Sequence, residues 1–533
     1  MINLELIRGA AKHRPFFYCR EGVDRRFLPV PQFPRRAIYP PIRDLKMNAI
    51  ATAVPARSWS TYQQAIFDFV ENGVGNALVE AVAGSGKTTT IVEALKRVQG
   101  SSIFLAFNKA IAAELAERGV NARTFHSLCF SPVMRSTGAK AIDVNKLRRI
   151  IVDNLTDKDV QTYGAFINKM VGLARQAGVG CVIEDSEQVW LDIADHHDLE
   201  VDGGDTARGV FLARRLLQAS NESPELDFDD LLYRAVLDGI SLPRFDWVFV
   251  DEAQDTNAIQ RAILRKLCHA GTRIVAVGDP AQAIYGFRGA DSESLNLIAE
   301  EFSAVRLPLT VSYRCPNAVV EFARRWVSHI EAAPAAPAGV VSSLGEEWNG
   351  GMFEPTDLVV CRTTKPLVSL AYRMLRAGQG VRIMGREIGQ GLQNLITKLN
   401  AKGVDALTAK IHAWSERESQ KALSKGNDAK VAAIQDQADC ILCLIESLSE
   451  TDRTVPALLR LLDTLFADVR GVTTLATIHK AKGLEADRVY WLNSSQCPSK
   501  WAKKDWQVQQ EINLCYVAAT RAKAELYLIE EKR

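Results

Sequence analysis

The chain has 533 residues, 47% of them hydrophobic and 24% charged, which is enough to bury several cores, so we expect more than one domain. The formal net charge of +2 gives no overall bias toward a polyanion. No apolar run reaches the roughly 18 residues of a membrane span, and residues 1–10 lack the pattern of a secretory signal. These features exclude a membrane protein and predict a cytoplasmic one, or a nuclear one in a eukaryote.

Residues 1–58 form a basic, Pro/Arg-rich extension. Lys and Arg outnumber Asp and Glu by ten to four within residues 1–46, and no helical or strand periodicity is present. We interpret the segment as an extension outside the folded domains. A basic arm that contacts DNA is the alternative, and Met47 is an alternative start.

Short β-rich runs separated by helical stretches predict a first α/β domain with a parallel sheet. The runs are "NALVEAVA", "SIFLAF", "WVFVDEA" and "RIVAVGD". The pattern becomes mostly helical and polar over residues 126–226, which predicts an insertion. The first domain therefore consists of residues 59–125 and 227–305.

A second set of β-rich runs, "DLVVCR", "VRIMG", "VTTLATIH", "RVYWLN" and "AELYLI", predicts a second α/β domain over residues 306–388 and 455–533. Residues 389–454 are helix-forming and contain no proline, which predicts a short helical insertion. The stretch "EAAPAAPAGVV" at residues 331–341 is interpreted as a connector. Of the ten cysteines, Cys440 and Cys443 form the one C-x-x-C pair, and we expect reduced thiols rather than a zinc site.

The stretch "AVAGSGKTT" at residues 81–89 follows a predicted strand and precedes a helix. Its glycines allow backbone N–H groups to approach phosphates, Lys87 can reach the β- and γ-phosphates, and the Thr88 hydroxyl can ligate Mg²⁺. Ala81 stands where the usual pattern has its first glycine. The residues predicted to line this nucleotide site are Ala83, Gly84, Ser85, Gly86, Lys87, Thr88 and Thr89.

A pair of carboxylates follows the apolar strand in "DWVFVDEAQD". Asp251 suits a water-mediated Mg²⁺ contact, and Glu252 suits a base for the attacking water. Two acidic turn residues are the alternative, but the phosphate loop in the same chain favours hydrolysis of a nucleoside triphosphate. The expected cofactors are ATP and Mg²⁺, with Thr88 and Asp251 at the metal.

From Trp59 to about Glu530 the motifs and their order resemble those of the UvrD/Rep/PcrA-like superfamily 1A DNA helicases. The stretches that carry the resemblance, besides the two above, are "VGDPAQAIYGFRGAD", "LTVSYRCP", "TTLATIHKAKGLEADRVY" and "NLCYVAATRAKAEL". "LAFNKAIAAEL", "ARTFHSLCF" and "VRIMGREIGQGL" are most similar to the branch that contains the eukaryotic F-box DNA helicase, although no F-box is found. The resemblance implies two RecA-like parallel-sheet domains, each interrupted by a mainly helical insertion.

The resemblance also implies roles at the nucleotide. Gln63 would contact the adenine edge, Tyr313 would cover the adenine ring, and Glu485 would face the ribose. Gln282 would sense the γ-phosphate, and Arg314 and Arg521 would be arginine fingers. Relatives often carry an arginine where this chain has Thr89.

Another set of residues is implied to contact DNA. Phe287, at a position where relatives usually have tryptophan, would stack on a base. The full set is Phe107, Asn108, Thr124, His126, Phe287, Arg288, His479 and Lys480. The stretch "SKWAKKDWQVQQE", where tryptophans alternate with lysines, is interpreted either as a nucleic-acid contact or as packing beside the last motif.

The implied activity is ATP-dependent translocation on single-stranded DNA, 3′ to 5′, with separation of tailed or forked duplexes. The main alternative is an ATP-driven partner subunit that clears proteins from DNA or activates a nuclease, with little unwinding of its own. An inactive scaffold is disfavoured because Lys87, Glu252, Arg314 and Arg521 are all present. Partner proteins from replication, repair or recombination are compatible with either activity.

Overall fold

The structure is a computed structural model that describes residues 58–286, 289, 293–424 and 427–531. The predicted basic extension lies outside the described residues except for Ser58. No helix in the described ranges is long and apolar enough to cross a membrane. The described residues from Trp59 onward form one compact unit.

The first sheet is parallel throughout, with the strand order β3-β2-β4-β5-β1-β6. Its strands are β1 (Ala77–Ala81), β2 (Ser102–Leu105), β3 (Ala122–Arg123), β4 (Trp247–Val250), β5 (Arg273–Gly278) and β6 (Val305–Leu309). All four residues of β4 are buried, as expected for a strand covered on both faces. The carboxyl ends of β1, β4 and β5 open on the same edge, where ligands bind in such sheets.

Helices α1 (Thr61–Asn72), α2 (Lys87–Leu95) and α3 (Lys109–Glu117) precede the insertion. α1 begins at a capping box, in which the Ser60 hydroxyl accepts from the Gln63 N–H and the Gln63 Oε1 accepts from the Ser60 N–H. α1 presents Ile66, Phe67 and Val70 to the core beside the sheet. This cap fixes the start of α1 next to the phosphate loop.

The insertion between β3 and β4 is mainly helical, as predicted. It contains α4 (Phe125–Thr137), α5 (Lys146–Asn154), α6 (Asp157–Ala177), α7 (Glu187–His196), α8 (Thr206–Glu222) and α9 (Asp230–Leu237). A buried ion network joins α5, α6 and α9: the Lys146 Nζ lies 2.7 Å from the Asp230 carboxylate, and Arg175 contacts both Asp230 and Asp227. Removing one partner of such a network costs about 3–5 kcal/mol, so the network fixes these helices to one another.

The chain then completes the first sheet and enters the second. The helices along this path are α10 (Ala258–Lys266), α11 (Ser294–Glu301) and α12 (Asn317–Ala323). Two short strands, β7 (Val311–Ser312) and β8 (Glu331–Ala332), pair with each other as a small separate sheet. They lie between the two large sheets in sequence.

The second large sheet is also parallel, with the order β11-β12-β10-β13-β14-β9. Its strands are β9 (Val340–Gly345), β10 (Leu358–Cys361), β11 (Val381–Ile383), β12 (Thr473–Thr477), β13 (Ala486–Leu492) and β14 (Ala522–Ile529). Its helices and those inserted in it are α13 (Lys365–Arg376), α14 (Arg386–Leu399), α15 (Val404–Leu423), α16 (Asp428–Ser447), α17 (Val455–Leu465), α18 (Ile478–Ala481) and α19 (Asp505–Ala519). The predicted fold class, two parallel-sheet domains with helical insertions, is confirmed.

Two local expectations differ from the structure. The stretch interpreted as a connector, residues 331–341, contains β8, which pairs with β7, and the start of β9, which pairs with β14 at the edge of the second large sheet. The first sheet also extends past the predicted limit at residue 305, since β6 pairs with β1 from Val305 to Leu309. β6 contains Pro308, which an edge strand tolerates because one of its sides needs no N–H donor.

Candidate active site

The phosphate loop follows β1 and ends where α2 begins at Lys87. Gly84 and Gly86 adopt φ of 72° and 77°, a left-handed conformation that favours glycine. A Cβ on Gly84 would lie 2.5 Å from the Cβ of Arg314 and 2.8 Å from the Ser312 Oγ. Gly84 therefore allows the segment after β7 to approach the loop, where the Tyr313 N–H donates to the Gly84 carbonyl at 2.8 Å.

Polar atoms of the loop fit a phosphate ligand. The Ser85 Oγ is buried without a hydrogen-bond partner among the described residues. The Ala83 N–H donates to the Tyr516 hydroxyl at 2.9 Å, so a side chain from α19 touches the loop directly. A buried unpaired hydroxyl beside a helix N-terminus is the type of donor that a bound anion satisfies.

The two carboxylates after β4 face the start of α2. The Lys87 Nζ lies 3.2 and 3.3 Å from the two carboxylate oxygens of Glu252, and the Thr88 hydroxyl donates to Asp251 at 3.1 Å. Glu252 adopts φ of 50°, which is uncommon for a residue other than glycine and aims its side chain at Lys87. The predicted catalytic residues Lys87, Asp251 and Glu252 and the predicted metal ligand Thr88 are thus brought together.

The environment separates the acidities of these carboxyls. Burial, with the adjacent Glu252 charge, raises the pKa of Asp251 to about 6. Burial also disfavours the Glu252 carboxylate, but the charges of Lys87 and Lys482 outweigh it and lower the pKa of Glu252 to about 2. Burial disfavours the Lys87 ammonium as well, yet Glu252, Asp279 and Asp251 raise the pKa of Lys87. Glu252 is therefore ionised at neutral pH.

Glutamines connect these carboxylates to the end of β5. Gln254 donates its side-chain amide to Glu252 and accepts from the Asp279 N–H at 3.0 Å. Gln282, predicted to sense the γ-phosphate, is buried and donates to the Asp279 carboxylate at 2.6 Å. Hydrogen bonds therefore link Gln282 to Glu252 through Asp279 and Gln254, so a displacement of the Gln282 side chain can alter the position of Glu252.

Sequence reasoning missed a cation that enters from the side of the second sheet. The Lys482 Nζ lies 2.6 Å from the Asp255 carboxylate and donates to the Gln282 carbonyl at 2.7 Å. Both charged groups are buried, and burial raises the pKa of Asp255 to about 6. Lys482 and Asp255 lie within the motifs "HKAKGLE" and "DEAQD", but neither motif indicates that the two residues pair.

The two predicted arginine fingers have different surroundings. Arg314 donates to the Glu485 carboxylate at 2.7 Å, so Glu485, expected at a ribose, pairs with this arginine in the structure. Arg521 is 1% exposed and donates to the Val517 and Leu484 carbonyls, and it belongs to none of the ion pairs found in the described ranges. Burial, together with the Arg314 charge, lowers the pKa of Arg521 to about 10, so it remains a cation at neutral pH.

The residues predicted at the adenine lie on one side of the loop. The Gln63 Nε2 donates to Thr90 at 2.9 Å, and its Oε1 accepts from the Tyr313 hydroxyl at 3.3 Å. Tyr313 is 46% exposed, which leaves its ring open to a flat ligand. Thr89 is half-buried on α2 next to this group. The structure brings Gln63 and Tyr313 together, and their contact with adenine stays a prediction.

The predicted DNA contacts of the first domain surround an exposed aromatic pair. Phe107 is 48% exposed and stacks on Tyr285, with ring centroids 6.1 Å apart and nearly parallel planes. Asn108 and Thr124 cap the N-termini of α3 and α4, where their side chains accept from backbone N–H groups. His126 is largely buried, which lowers its pKa.

Of the two predicted DNA contacts of the second domain, His479 lies beside Tyr285. The Tyr285 hydroxyl donates to the His479 carbonyl at 3.4 Å, and the Lys482 Nζ lies 4.9 Å from the Tyr285 ring centroid. Lys480 pairs with Glu387. Phe287 and Arg288, predicted to contact DNA, lie outside the described residues, and their roles stay predictions.

The fold and the site define a P-loop protein with two RecA-like domains. Residues 62–303 match the UvrD/REP helicase N-terminal domain, and residues 384–533 match the UvrD-like helicase C-terminal domain. These two segments cover most of the sequence. The chain belongs to the UvrD-like helicase family.

Individual relatives agree with this assignment. The chain is 27% identical to the F-box DNA helicase protein 1 of Schizosaccharomyces pombe over 84% of this chain and 55% of that protein. It is 36% identical to the ATP-dependent DNA helicase srs2 of the same yeast over 22% of this chain and 14% of the relative. It is 25% identical to the ATP-dependent DNA helicase PcrA of Staphylococcus epidermidis over 48% of this chain and 38% of the relative. The chain spans about half the length of the first of these and less of the others.

We expect Asp251→Asn to be more stable than the parent at neutral pH, by a margin that shrinks as the pH falls through about 6. The folded-state pKa of Asp251 lies above its ordinary value of 3.8, so the folded parent binds the proton first and gains stability as the pH falls between these values. The asparagine does not titrate and lacks this gain. Urea unfolding of both proteins across this pH range measures the difference.

Asp246→Asn is the control of opposite sign. Hydrogen bonds from Ser101 lower the pKa of Asp246, so its replacement is expected to destabilise the protein at neutral pH and less in acid. An Asp251→Asn protein that is less stable than the parent at neutral pH would contradict the assignment of a desolvated carboxylate.

Proposed function

We propose that this chain is an ATP-dependent DNA helicase that translocates 3′ to 5′ on single-stranded DNA and separates tailed duplexes. The observation that carries the proposal is that groups from the second domain enter the phosphate site of the first. Lys482 pairs with Asp255, and the Tyr516 hydroxyl accepts from the phosphate loop. Arg521 lies buried in the same second domain.

The residues present fit ATP and Mg²⁺. Three features suit the phosphates: the buried Ser85 hydroxyl, the Lys87 ammonium, and the absence of a side chain at Gly84, which lets the segment after β7 lie close to the loop. Thr88 and Asp251 supply oxygen ligands of the type that Mg²⁺ prefers. When bound, Mg²⁺-ATP supplies the phosphoanhydride bond whose hydrolysis provides the free energy.

The chain's own groups then have distinct tasks. Glu252, ionised and held by Lys87 and Gln254, orients a water molecule and accepts its proton. Arg314 and Arg521 stabilise the charge that spreads over the transferred phosphoryl group. Because both arginines belong to the second domain, hydrolysis is coupled to closure of one domain on the other.

Tyr285 connects the movement of the two domains to the residues proposed to contact DNA. This residue stacks on Phe107, donates to the His479 carbonyl and lies under the Lys482 ammonium, whose carboxylate partner is Asp255. A movement of Lys482 relative to Asp255 therefore displaces the aromatic pair as well. The proposed domains are 1A (59–125 and 227–305, with β6), 1B (126–226), 2A (the rest of 306–388, and 455–533) and 2B (389–454).

The test is ATP hydrolysis with and without single-stranded DNA, followed by strand separation on 3′-tailed and 5′-tailed duplexes. We expect DNA to stimulate hydrolysis and the 3′-tailed duplex to be unwound preferentially. Unwinding of the 5′-tailed substrate alone would overturn the polarity. DNA-stimulated hydrolysis without unwinding would favour the alternative, a remodeller or partner subunit, and hydrolysis indifferent to DNA would overturn the proposal.

A further inference from the structure

The lysine–tryptophan segment, residues 500–506 ("KWAKKDW"), leads into α19 and is used by none of the steps above. Trp501 is 37% exposed, and the Lys500 Nζ lies 4.7 Å from its ring centroid. Lys503 is mostly exposed as well. Alternating cations and aromatic rings are the composition of surfaces that hold a single nucleic-acid strand, where rings stack on bases and cations follow the backbone.

An acidic loop from the first insertion lies against this segment. The acidic loop consists of the last two residues of α7 and the segment after them, residues 195–202 ("DHHDLEVD"), and carries four carboxylates in eight residues. The Lys504 Nζ lies 2.9 Å from the Asp198 carboxylate and 3.5 Å from that of Asp195, and the Gln507 amide donates to Asp198 at 2.6 Å. Farther along the loop, Asp202 pairs with Lys430 of α16 at 3.1 Å.

The two segments touch through exposed ion pairs and through ring contacts of Trp506 with His196 and His197. A cavity of about 190 Å³ lies between them, lined by Leu199 and Glu200 on one side and by Trp501 and Lys503 on the other. The carboxylate of Asp195 is 88% exposed. Ion pairs this exposed are weak and screened by salt, so another polyanion can replace the carboxylates.

Trp506 connects this contact to the predicted DNA face. Its ring stacks on His196, with centroids 5.3 Å apart, and also lies against Gly286, where an added Cβ would lie 3.2 Å from the ring. The Gly286 N–H donates to Gln510 of α19 at 3.1 Å. The acidic loop and Gly286, the residue before Phe287 in sequence, therefore contact the same end of α19.

His197 adds no competing charge to this surface. Burial, together with the charges of His196, Lys169 and Lys504, lowers the pKa of His197 to about 4, so it is neutral at physiological pH. The positive charge facing Asp195 and Asp198 therefore comes from Lys504.

We propose that the acidic loop substitutes for nucleic-acid phosphates on the lysine–tryptophan segment, and that a single strand displaces the loop when it binds. The proposal rests on the proposed function, because it extends the single-strand path beyond Phe107 and the loop after Tyr285. The strand would contact Lys503 and Lys504 with its phosphates and Trp501 with a base. The competing explanation is a rigid brace, in which the same contacts only hold the first insertion against α19.

Opposite charge changes on the two sides distinguish these explanations. We expect Lys503→Gln/Lys504→Gln to bind labelled oligo(dT) several-fold more weakly, and Asp195→Asn/Asp198→Asn to bind it several-fold more tightly. The lysine variant should also reduce the salt slope of log K by about 1.4, since each phosphate contact on a single strand contributes about 0.7. A brace predicts the same sign for both variants, because each loses the ion pairs of Lys504 with Asp195 and Asp198, and the lysine variant also loses the pair of Lys503 with Asp428.

Fluorescence anisotropy at several salt concentrations gives both the affinity and the salt slope. Lys96→Gln and Glu93→Gln are the matched controls, since these residues form an exposed ion pair on α2, away from the segment. Variants that shift affinity in the same direction, or no more than these controls, would overturn the inference while DNA-stimulated hydrolysis by the parent keeps the proposed function. A parent that does not bind oligo(dT) would overturn both.

Discussion

Lys87→Ala is expected to lower ATP turnover by on the order of 10³-fold, because the phosphates lose the cation that balances their charge. The loss extends beyond the ligand. Lys87 is the first of the cations that keep the pKa of Glu252 low, so its removal leaves Glu252 and Asp251 as neighbouring buried carboxyls that share less positive charge. Steady-state hydrolysis with single-stranded DNA present measures the effect.

The matched control is Lys96→Ala, which removes a lysine from the end of the same helix. Lys96 is exposed and pairs with Glu93, so hydrolysis should remain close to that of the parent. Thermal unfolding of both variants checks that the phosphate loop stays folded. If Lys87→Ala hydrolyses ATP at a rate near that of the parent, the assignment of the phosphate loop to the active site is contradicted.

The parts of the site that follow directly from sequence are those built by short motifs. Lys87 and Thr88 begin a helix after a buried strand, and Asp251 and Glu252 end a neighbouring strand. Parallel strands place these ends on one edge, so the two contacts Lys87 to Glu252 and Thr88 to Asp251 could be expected from the pattern alone. The Ser60 to Gln63 capping box was also readable, from its spacing.

Contacts between residues far apart in the chain do not follow from the sequence pattern in this way. The pair of Lys482 and Asp255 joins residues 227 positions apart, and Arg314 meets Glu485 across 171 positions. Nothing in the local pattern of either partner specifies such a distant neighbour. The pair of Lys482 and Asp255 depends on how the two sheets face each other, and the pair of Arg314 and Glu485 depends on how the second domain folds. Periodicity determines neither.

The edge strands β6 and β9 are also not identified by the sequence pattern. β6 and β9 are only partly buried, with Val305 52% and Val340 42% exposed, so neither shows the apolar run that identified the central strands. Their strand conformation is imposed by pairing with β1 and β14. Long-range pairing can thus override a weak local preference, as it does where a connector was expected.

The surroundings of Arg521 favour the binding of an anion beside its guanidinium. Arg521 is a fully buried cation whose hydrogen bonds go to carbonyls and to the Thr520 hydroxyl, and its pKa falls to about 10 chiefly through burial. A desolvated charge without a carboxylate is costly unless an anion binds. The charge of Asp279, at the end of β5, favours the charged form of Arg521, whose pKa nevertheless falls because of burial.

We therefore expect Arg521→Ala to lower turnover about 10³-fold or more, while ATP affinity changes no more than several-fold. A guanidinium that acts on the transition state contributes little to ground-state binding, so the effect should be on turnover. Arg521→Met, which keeps most of the side-chain volume, should show the same loss and so excludes a cavity as its cause. Single-turnover hydrolysis and equilibrium binding of a fluorescent nucleotide give the two quantities.

Arg362→Ala provides the structural comparison for Arg521→Ala. Arg362 is a largely buried arginine in the same domain, but its guanidinium is paired with Glu511 of α19. Replacing Arg362 leaves the buried Glu511 carboxylate without its ion-pair partner, so we expect a lower melting temperature and no selective loss of turnover. If Arg521→Ala instead loses ATP affinity with turnover unchanged, Arg521 serves ground-state binding. If it behaves like Arg362→Ala, the buried charge of Arg521 is structural, and domain closure delivers its transition-state cation through Arg314 alone.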